Sequence, residues 1–242
     1  MLNYILYEYP VVESTNDIAK SLLENGAGEG TVIRADRQTA GRGRRGREWI
    51  SESGNLYCSF ILKPQCPLSQ ANQLSFVMAL AVGETILSFL SLPESLSYKW
   101  PNDLLLNKEK VGGILIETES KGGQQVESCV VGIGVNLQSC PSNMSYPVTS
   151  LKNHAKMTPI LEVLFSELLD KIKTFYHIWK QDGFEPIREK WLHRAYSLGE
   201  DLSIVVGEKK IRGKFIGLDS SGGLLIKGED NSIQTLLSAE IS

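Results

Sequence analysis

Along the chain, the apolar run Tyr4 to Tyr9 is strand-like, and Ile18, Ala19, Leu22 and Leu23 then fall at helical spacing. Ser14-Thr15-Asn16-Asp17 has the Ser-x-x-Asp form of a capping box, so a first helix is expected from about Ser14 to Asn25, stopped by Gly26. Thr31 to Ala35 reads as a short strand, the following stretch of arginine and glycine as a loop, and Asn55 to Leu62 as another strand. Leu74, Val77, Ala81, Thr85 and Ser88 share one side of a second helix, and Met78, Val82 and Ile86 widen its apolar face. Ser75, Glu84, Thr85 and Ser88 interrupt that segment, which marks a buried helix and not a membrane span. Leu96 to Trp100, Asp103 to Leu106, Gly113 to Glu117 and Val126 to Leu137 form a β-rich meander, with turns at Asn107 to Lys110 and Lys121-Gly122-Gly123. Thr158-Pro159 has the form of an N-cap and first-turn proline, and Leu161, Leu164, Phe165, Leu168, Ile172, Phe175 and Trp179 supply the apolar face of a third helix.

After Leu198 the texture changes to short alternating pieces, Leu202 to Val206, Ile211 to Phe215, Leu224 to Lys227 and Ser232 to Leu236, separated by turns rich in Gly, Asp, Asn and Lys. Small antiparallel barrels have this pattern. The expected organisation is an α+β domain over residues 1–195, a mixed sheet flanked by helices, and a small β-barrel over 196–242.

Composition adds little that is unusual: 242 residues, 42% hydrophobic and 22% charged, describe an ordinary globular chain. Cys58, Cys66, Cys129 and Cys140 are scattered, with no metal-ligand spacing, and the N-terminal residues lack the basic start and apolar run of a signal peptide. A cytoplasmic protein is expected. A net charge of −3 gives the whole chain no electrostatic reason to bind nucleic acid or an anionic membrane. Charge is uneven, however: Arg34 to Arg47 holds six arginines against Asp36 alone, so an anionic ligand is expected there.

Gln38-Thr39-Ala40-Gly41-Arg42-Gly43-Arg44-Arg45-Gly46-Arg47 contains Gly-x-Gly-x-x-Gly, but it leads through Trp49 to a strand and not to a helix, so it fails as a dinucleotide fingerprint. Its glycines permit close backbone approach and its guanidinium groups bind phosphate oxygens in pairs, which suits a polyphosphate or acyl-phosphate. A solvated basic loop or a nucleic-acid patch reads the same residues. In Lys99-Trp100-Pro101-Asn102-Asp103, followed by Lys110-Val111-Gly112-Gly113-Ile114, Asp103 is either a turn residue or a carboxylate for Mg²⁺ near phosphate-neutralising lysines. Gly132-Ile133-Gly134-Val135-Asn136 puts glycines in a strand, where a ligand can approach closely.

In this order the motifs closely resemble the biotin protein ligases, over essentially the whole chain. The resemblance implies a catalytic domain like that of class II aminoacyl-tRNA synthetases, an SH3-like terminal barrel, and activation of biotin with ATP to biotinyl-5′-AMP. Transfer to a lysine of a biotin carboxyl carrier protein, such as that of acetyl-CoA carboxylase, would follow. Ser14, Thr15 and Gln38 match positions that bind the biotin ureido group, with Asn16 beside them and backbone around Gly41 and Arg42. Gly43 and Trp49 belong to the same ligand loop. Arg42, Arg44 and Lys110 match the catalytic set that meets the carboxylate and the phosphate. Asn102 and Asp103 match the metal and ribose side, with Asp103 toward Mg²⁺, and Gly112, Gly113, Gly134 and Asn136 complete the nucleotide site. Ser-Thr-Asn arrives by residue 14, so no DNA-reading domain is expected ahead of it. Ser139 to Leu151 lacks the tryptophan that closes over adenine in some relatives, so the adenine contacts are unassigned. A lipoate or octanoate ligase or transferase of the same fold is the rival, and monomer and homodimer both stay open.

Overall fold

The computed structural model describes residues 2–92, 95–119, 124–206, 209–237 and 240–241. The first half runs β1 (Ile5–Val12), α1 (Thr15–Glu24), β2 (Thr31–Gln38), β3 (Leu56–Leu62), β4 (Cys66–Pro67), α2 (Gln73–Leu87), β5 (Leu96–Lys99), β6 (Asp103–Leu106), β7 (Glu109–Glu119), β8 (Gln125–Val126) and β9 (Ser128–Val135). It continues through α3 (Leu161–Asp182), α4 (Glu185–Leu192), β10 (Asp201–Val206), β11 (Lys209–Leu218), β12 (Leu224–Lys227), β13 (Ile233–Leu236) and β14 (Glu240–Ile241). The turns expected at 121–123 and around 207–208 lie outside the described residues.

Seven strands make one mixed sheet in the order β1-β2-β3-β9-β7-β6-β5. Only β1 and β2 pair parallel, because α1 crosses between them, and the neighbours from β2 onward pair antiparallel. Strand alternation divides the side chains between two faces. Leu56, Cys58, Phe60, Val131, Ile133, Ile114 and Ile116 pack on α2, α3 and α4 in the main core. Ile33, Ile61 and Val130 face the other way, where Ala19 of α1 covers them. Helix α2 is buried almost all round, wedged between sheet, α3 and α4. The remaining strands form a five-stranded antiparallel sheet, β13-β12-β11-β10-β14, so the fold is α+β with a small C-terminal β domain.

That domain is held by its turn at residues 219–223. Trp100 Nε1 donates to the Gly222 carbonyl at 3.0 Å and Gln73 Nε2 to the Ser220 carbonyl at 3.0 Å. A Cβ on Gly222 would stand 2.6 Å from the Phe76 ring. The Asp219 carboxylate accepts from the Ser221 hydroxyl and from the Ser221 and Gly223 N–H groups, all at 2.8 Å. Burial would raise its pKa, but these bonds outweigh it and hold the group below the usual carboxylate range.

Two local expectations change. Ser14 is the N-cap of α1 by position but makes no side-chain capping bond, and the Asp17 carboxylate expected to complete the box is engaged by Arg42 instead. The bidentate pair with a guanidinium takes both carboxylate oxygens. Helix α3 starts at Leu161 after an extended Ile160, two residues beyond Thr158-Pro159, and α4 was not anticipated although Pro186 lies in its first turn.

Gly83 lies in α2 directly against Tyr98, and a Cβ there would come within 2.1 Å of the Tyr98 hydroxyl. Alanine is the better helix former by about 0.5–1 kcal/mol, but overpacking costs about 1–3 kcal/mol. Gly83→Ala is therefore expected to lower the thermal midpoint. Adding Tyr98→Phe should recover part of the loss, since that buried hydroxyl has no hydrogen-bond partner among the described residues. A midpoint raised by Gly83→Ala would contradict the packing.

Candidate functional site

Helix α1 covers only part of its face of the sheet, and beyond its first turn the floor is made of glycine. Register pairs Asp103 with Gly113 and Gly113 with Gly134, and Gly132 pairs with both Leu115 and Ser59. The space above these glycines is used by side chains from elsewhere. A Cβ on Gly132 would lie 2.4 Å from Asn16 Oδ1, and one on Gly134 would lie 2.6 Å from the Trp49 ring. The result is an open cleft of about 1060 Å³, solvent space included.

One end of the cleft is a hydrogen-bonding head. Gln38 Oε1 accepts from the Thr15 N–H at 2.8 Å and lies 3.0 Å from Thr15 Oγ1, while Gln38 Nε2 donates to Ser51 Oγ at 2.9 Å. Ser59 Oγ lies 2.7 Å from Thr15 Oγ1 and 2.6 Å from Asn16 Oδ1. Two hydroxyl protons thus serve three oxygen–oxygen contacts. Asn16 Nδ2 donates to Glu117 at 2.6 Å, and Lys20 pairs with the other oxygen of that carboxylate at 2.6 Å.

The other end is cationic. A register shift between Leu104 and Leu105 leaves Val111 as an extra residue in β7, a bulge that turns Lys110 and Gly113 to the same side. Lys110 Nζ consequently sits 2.7 Å from Asp103 Oδ1, with the rings of Trp49 and Tyr146 at 5.4 and 5.6 Å. Residues 38 to 51 form a hairpin: Gln38 bridges Ser51, Arg42 bridges Glu48, and Gly43 N donates to the Arg47 carbonyl at 2.7 Å. A single 3-10 turn, Arg44–Gly46, makes its tip. Arg44 Nη1 lies 3.3 Å from Asn102 Oδ1, and Asn102 is fixed to β7 through the Ile114 carbonyl at 2.7 Å. Arg42 closes a bidentate pair with Asp17 at 2.7 and 2.5 Å. The hydrogen bond from Arg42 outweighs burial and holds the Asp17 carboxyl below the usual carboxylate range.

Of the residues singled out in the sequence, Ser14, Thr15, Asn16, Gln38, Arg42, Gly43, Arg44, Trp49, Asn102, Asp103, Lys110, Gly113 and Gly134 line this cleft. Three lie elsewhere. Gly41 packs under Trp49 and Ser51, and Gly112 is turned to the core side, where a Cβ would meet the Gly134 carbonyl at 3.0 Å. Asn136 lines a smaller adjoining pocket with Trp49, Lys110, Met144, Tyr146 and Val148, its amide donating to the Thr149 carbonyl at 3.0 Å. Sequence reasoning missed Ser59, Glu117, Lys20 and Tyr146. Ser59 carried a signal, a small polar side chain between Tyr57 and Ile61 on the cleft side of a largely apolar strand, whereas Tyr146 sits in a segment without periodicity.

The arrangement suits an elongated ligand lying flat on glycine, with a neutral polar head at Thr15 and Gln38 and an anionic part at Lys110 and Arg44. Among the described residues no cluster of His, Cys, Asp or Glu would hold a metal unaided, and no helix is long and apolar enough to cross a membrane.

Known proteins agree with this geometry. Residues 8–136 match the biotin/lipoate A/B protein ligase family and residues 198–242 the biotin protein ligase C-terminal domain. The chain is 39% identical to the biotin–[acetyl-CoA-carboxylase] ligase of Paracoccus denitrificans over 225 residues, 89% of this chain and 91% of that protein. It is 33% identical to the bifunctional ligase/repressor of Bacillus subtilis over 246 residues, covering 100% of this chain and 74% of that one. The biotin protein ligase of Aquifex aeolicus, solved with biotin and ATP, superposes with a TM-score of 0.83 at 34% identity, covering 98% of this chain and 97% of that one. The family matches over both parts of the chain, the identity to curated ligases and the shared fold place this chain among the biotin protein ligases.

Proposed function

We propose that the cleft joins biotin to ATP and passes the biotinyl group to a lysine of a biotin carboxyl carrier protein. The observation that carries this reading is the glycine floor, bounded at one end by a neutral hydrogen-bonding head and at the other by Lys110. The ureido ring lies at Ser14, Thr15 and Gln38, where hydroxyl and amide groups can exchange hydrogen bonds with its carbonyl and N–H groups. The aliphatic tail crosses Gly132 and Gly134 beside Trp49, which brings the carboxylate to Lys110.

There a carboxylate oxygen attacks the α-phosphorus of ATP, the bond to the β-phosphate breaks, and pyrophosphate leaves. Lys110 releases Asp103 to meet the negative charge that builds on the α-phosphate, and Arg44 approaches the same oxygens from the hairpin tip. Adenine occupies the adjoining pocket between Trp49 and Tyr146, with Asn136 at its wall. The acceptor amine then attacks the acyl carbon, loses a proton and expels AMP. Mg²⁺ commonly binds through one or two carboxylates and the substrate phosphates, which fits a site where Asp103 stands beside the phosphate-binding lysine; when bound it would offset phosphate charge. Residues 1–195 carry this chemistry and 196–242 brace it. The four cysteines, all free thiols, suit a reducing cytoplasm.

Pyrophosphate release tests the reading. Release is expected with biotin and not with lipoate, and Lys110→Ala should slow the first turnover by about 10²–10³; release with lipoate alone would instead assign the lipoate branch of the family. Gly134→Ala puts a methyl group under Trp49, and overpacking of about 1–3 kcal/mol predicts a KM for biotin raised by a factor of about 5 to 150. An unchanged KM would mean that the acyl chain does not cross this floor.

A further inference from the structure

The hairpin of residues 38 to 51 brings Arg44, Arg45 and Arg47 to the rim of the cleft, and something must decide whether it lies closed. Its root is fixed: Thr39 N and Ala40 N donate to the Val12 and Glu13 carbonyls, both at 2.9 Å, and Gln38 is tied to Thr15. Between that root and the tip stands Arg42, and its bidentate partner Asp17 belongs to a different element, the first turn of α1. Asp17 directly follows Ser14, Thr15 and Asn16, which line the head of the cleft. The carboxylate does not cap the helix, as its position after Ser14 suggests; it reaches sideways to the hairpin.

We propose that the Asp17–Arg42 pair is a latch holding the arginine hairpin shut over the cleft, so that Asp17 is a positioning residue for retention of the acyl-adenylate. The proposal rests on the reading of the cleft as an adenylate site. Arg42 then serves closure, and the direct approach to the phosphate falls to Arg44 and Lys110. The latch is built to open. Asp17 is 42% exposed and Arg42 35%, so water screens the pair, and its release calls for no buried charge to be stranded. Parallel N–H···O bonds nevertheless fix the direction of the guanidinium, which a single contact would not. One turn further along α1, Lys20 is held by Glu117, so the helix is fastened to the sheet on one side and to the hairpin on the other.

The test uses the intact chain with Asp17→Asn, which keeps the shape and loses the charge, and the inverted pair Asp17→Arg with Arg42→Asp. Two readouts are needed. Amide hydrogen exchange over residues 41–49, without ligand, is expected to quicken about fivefold in Asp17→Asn, a factor that corresponds to about 1 kcal/mol, and to return toward the original rate in the inverted pair. Escape of biotinyl-adenylate, followed by chase and by labelling of a bystander protein such as serum albumin, should rise by a similar factor and be rescued in the same way. A purely structural role for Asp17 would not be rescued by inversion. Unchanged exchange in Asp17→Asn overturns the latch. Faster exchange with unchanged escape overturns its link to retention. If the intact chain forms no adenylate, the functional reading fails, and the exchange data still decide the latch.

Discussion

A sheet with two apolar faces must be covered on both, and here one face has a single short helix to cover it. Ten residues of α1 reach about 15 Å, whereas an eight-residue strand such as β9 extends roughly 26 Å, so part of the face has no helix above it. Exposed valines and isoleucines would have made that part a sticky patch. Gly113, Gly132 and Gly134 remove the side chains instead, and Asn16 and Trp49 enter the space from α1 and from the hairpin. The cleft is what remains when one face of a sheet is covered over only part of its length.

The charges around the cleft follow from the same economy of cover. Lys110 with Asp103, Arg42 with Asp17 and Lys20 with Glu117 each pair a cation with a carboxylate, and all six groups keep some contact with water. Pairing keeps strong positive charge beside the substrate site without stranding it. An anionic ligand then has to exchange one partner for another, which costs far less than desolvating a free ammonium group. The bulge at Val111 matters because it aims Lys110 into this exchange; in regular alternation Lys110 and Gly113 would point to opposite faces.

Much of this was legible in the residues. Strands such as Asp103–Leu106 and Leu224–Lys227 fall where the pattern puts them, since side-chain alternation and turn residues are local properties. Thirteen residues singled out by motif line one cleft, because each motif marks a place where backbone and ligand come close. What stayed hidden is what depends on partners far away in sequence. Lys110 and Gly113 are three apart and would alternate to opposite faces, yet a one-residue bulge at Val111 turns them to the same one. Asp17 looked like half of a capping box, and only the hairpin 25 residues later shows where its carboxylate goes. Helix α4 has eight residues, too few for its apolar spacing to stand out before Trp191 is seen against Phe76 and Tyr98.

The indole of Trp100 gives the terminal β domain a meaning beyond its own fold. Trp100 immediately precedes Pro101, Asn102 and Asp103, and its N–H finds its acceptor 122 residues away, on Gly222. Gln73, at the start of α2, reaches the same turn of that domain. Shortening the chain before β10 would therefore leave two donors without acceptors and uncover Phe76, directly behind the turn that carries Asn102 and Asp103 into the cleft. The terminal domain thus backs the wall of the cleft from behind, and in this chain the 219–223 turn, Trp100 and Gln73 work as one unit: altering any of the three strands the other two.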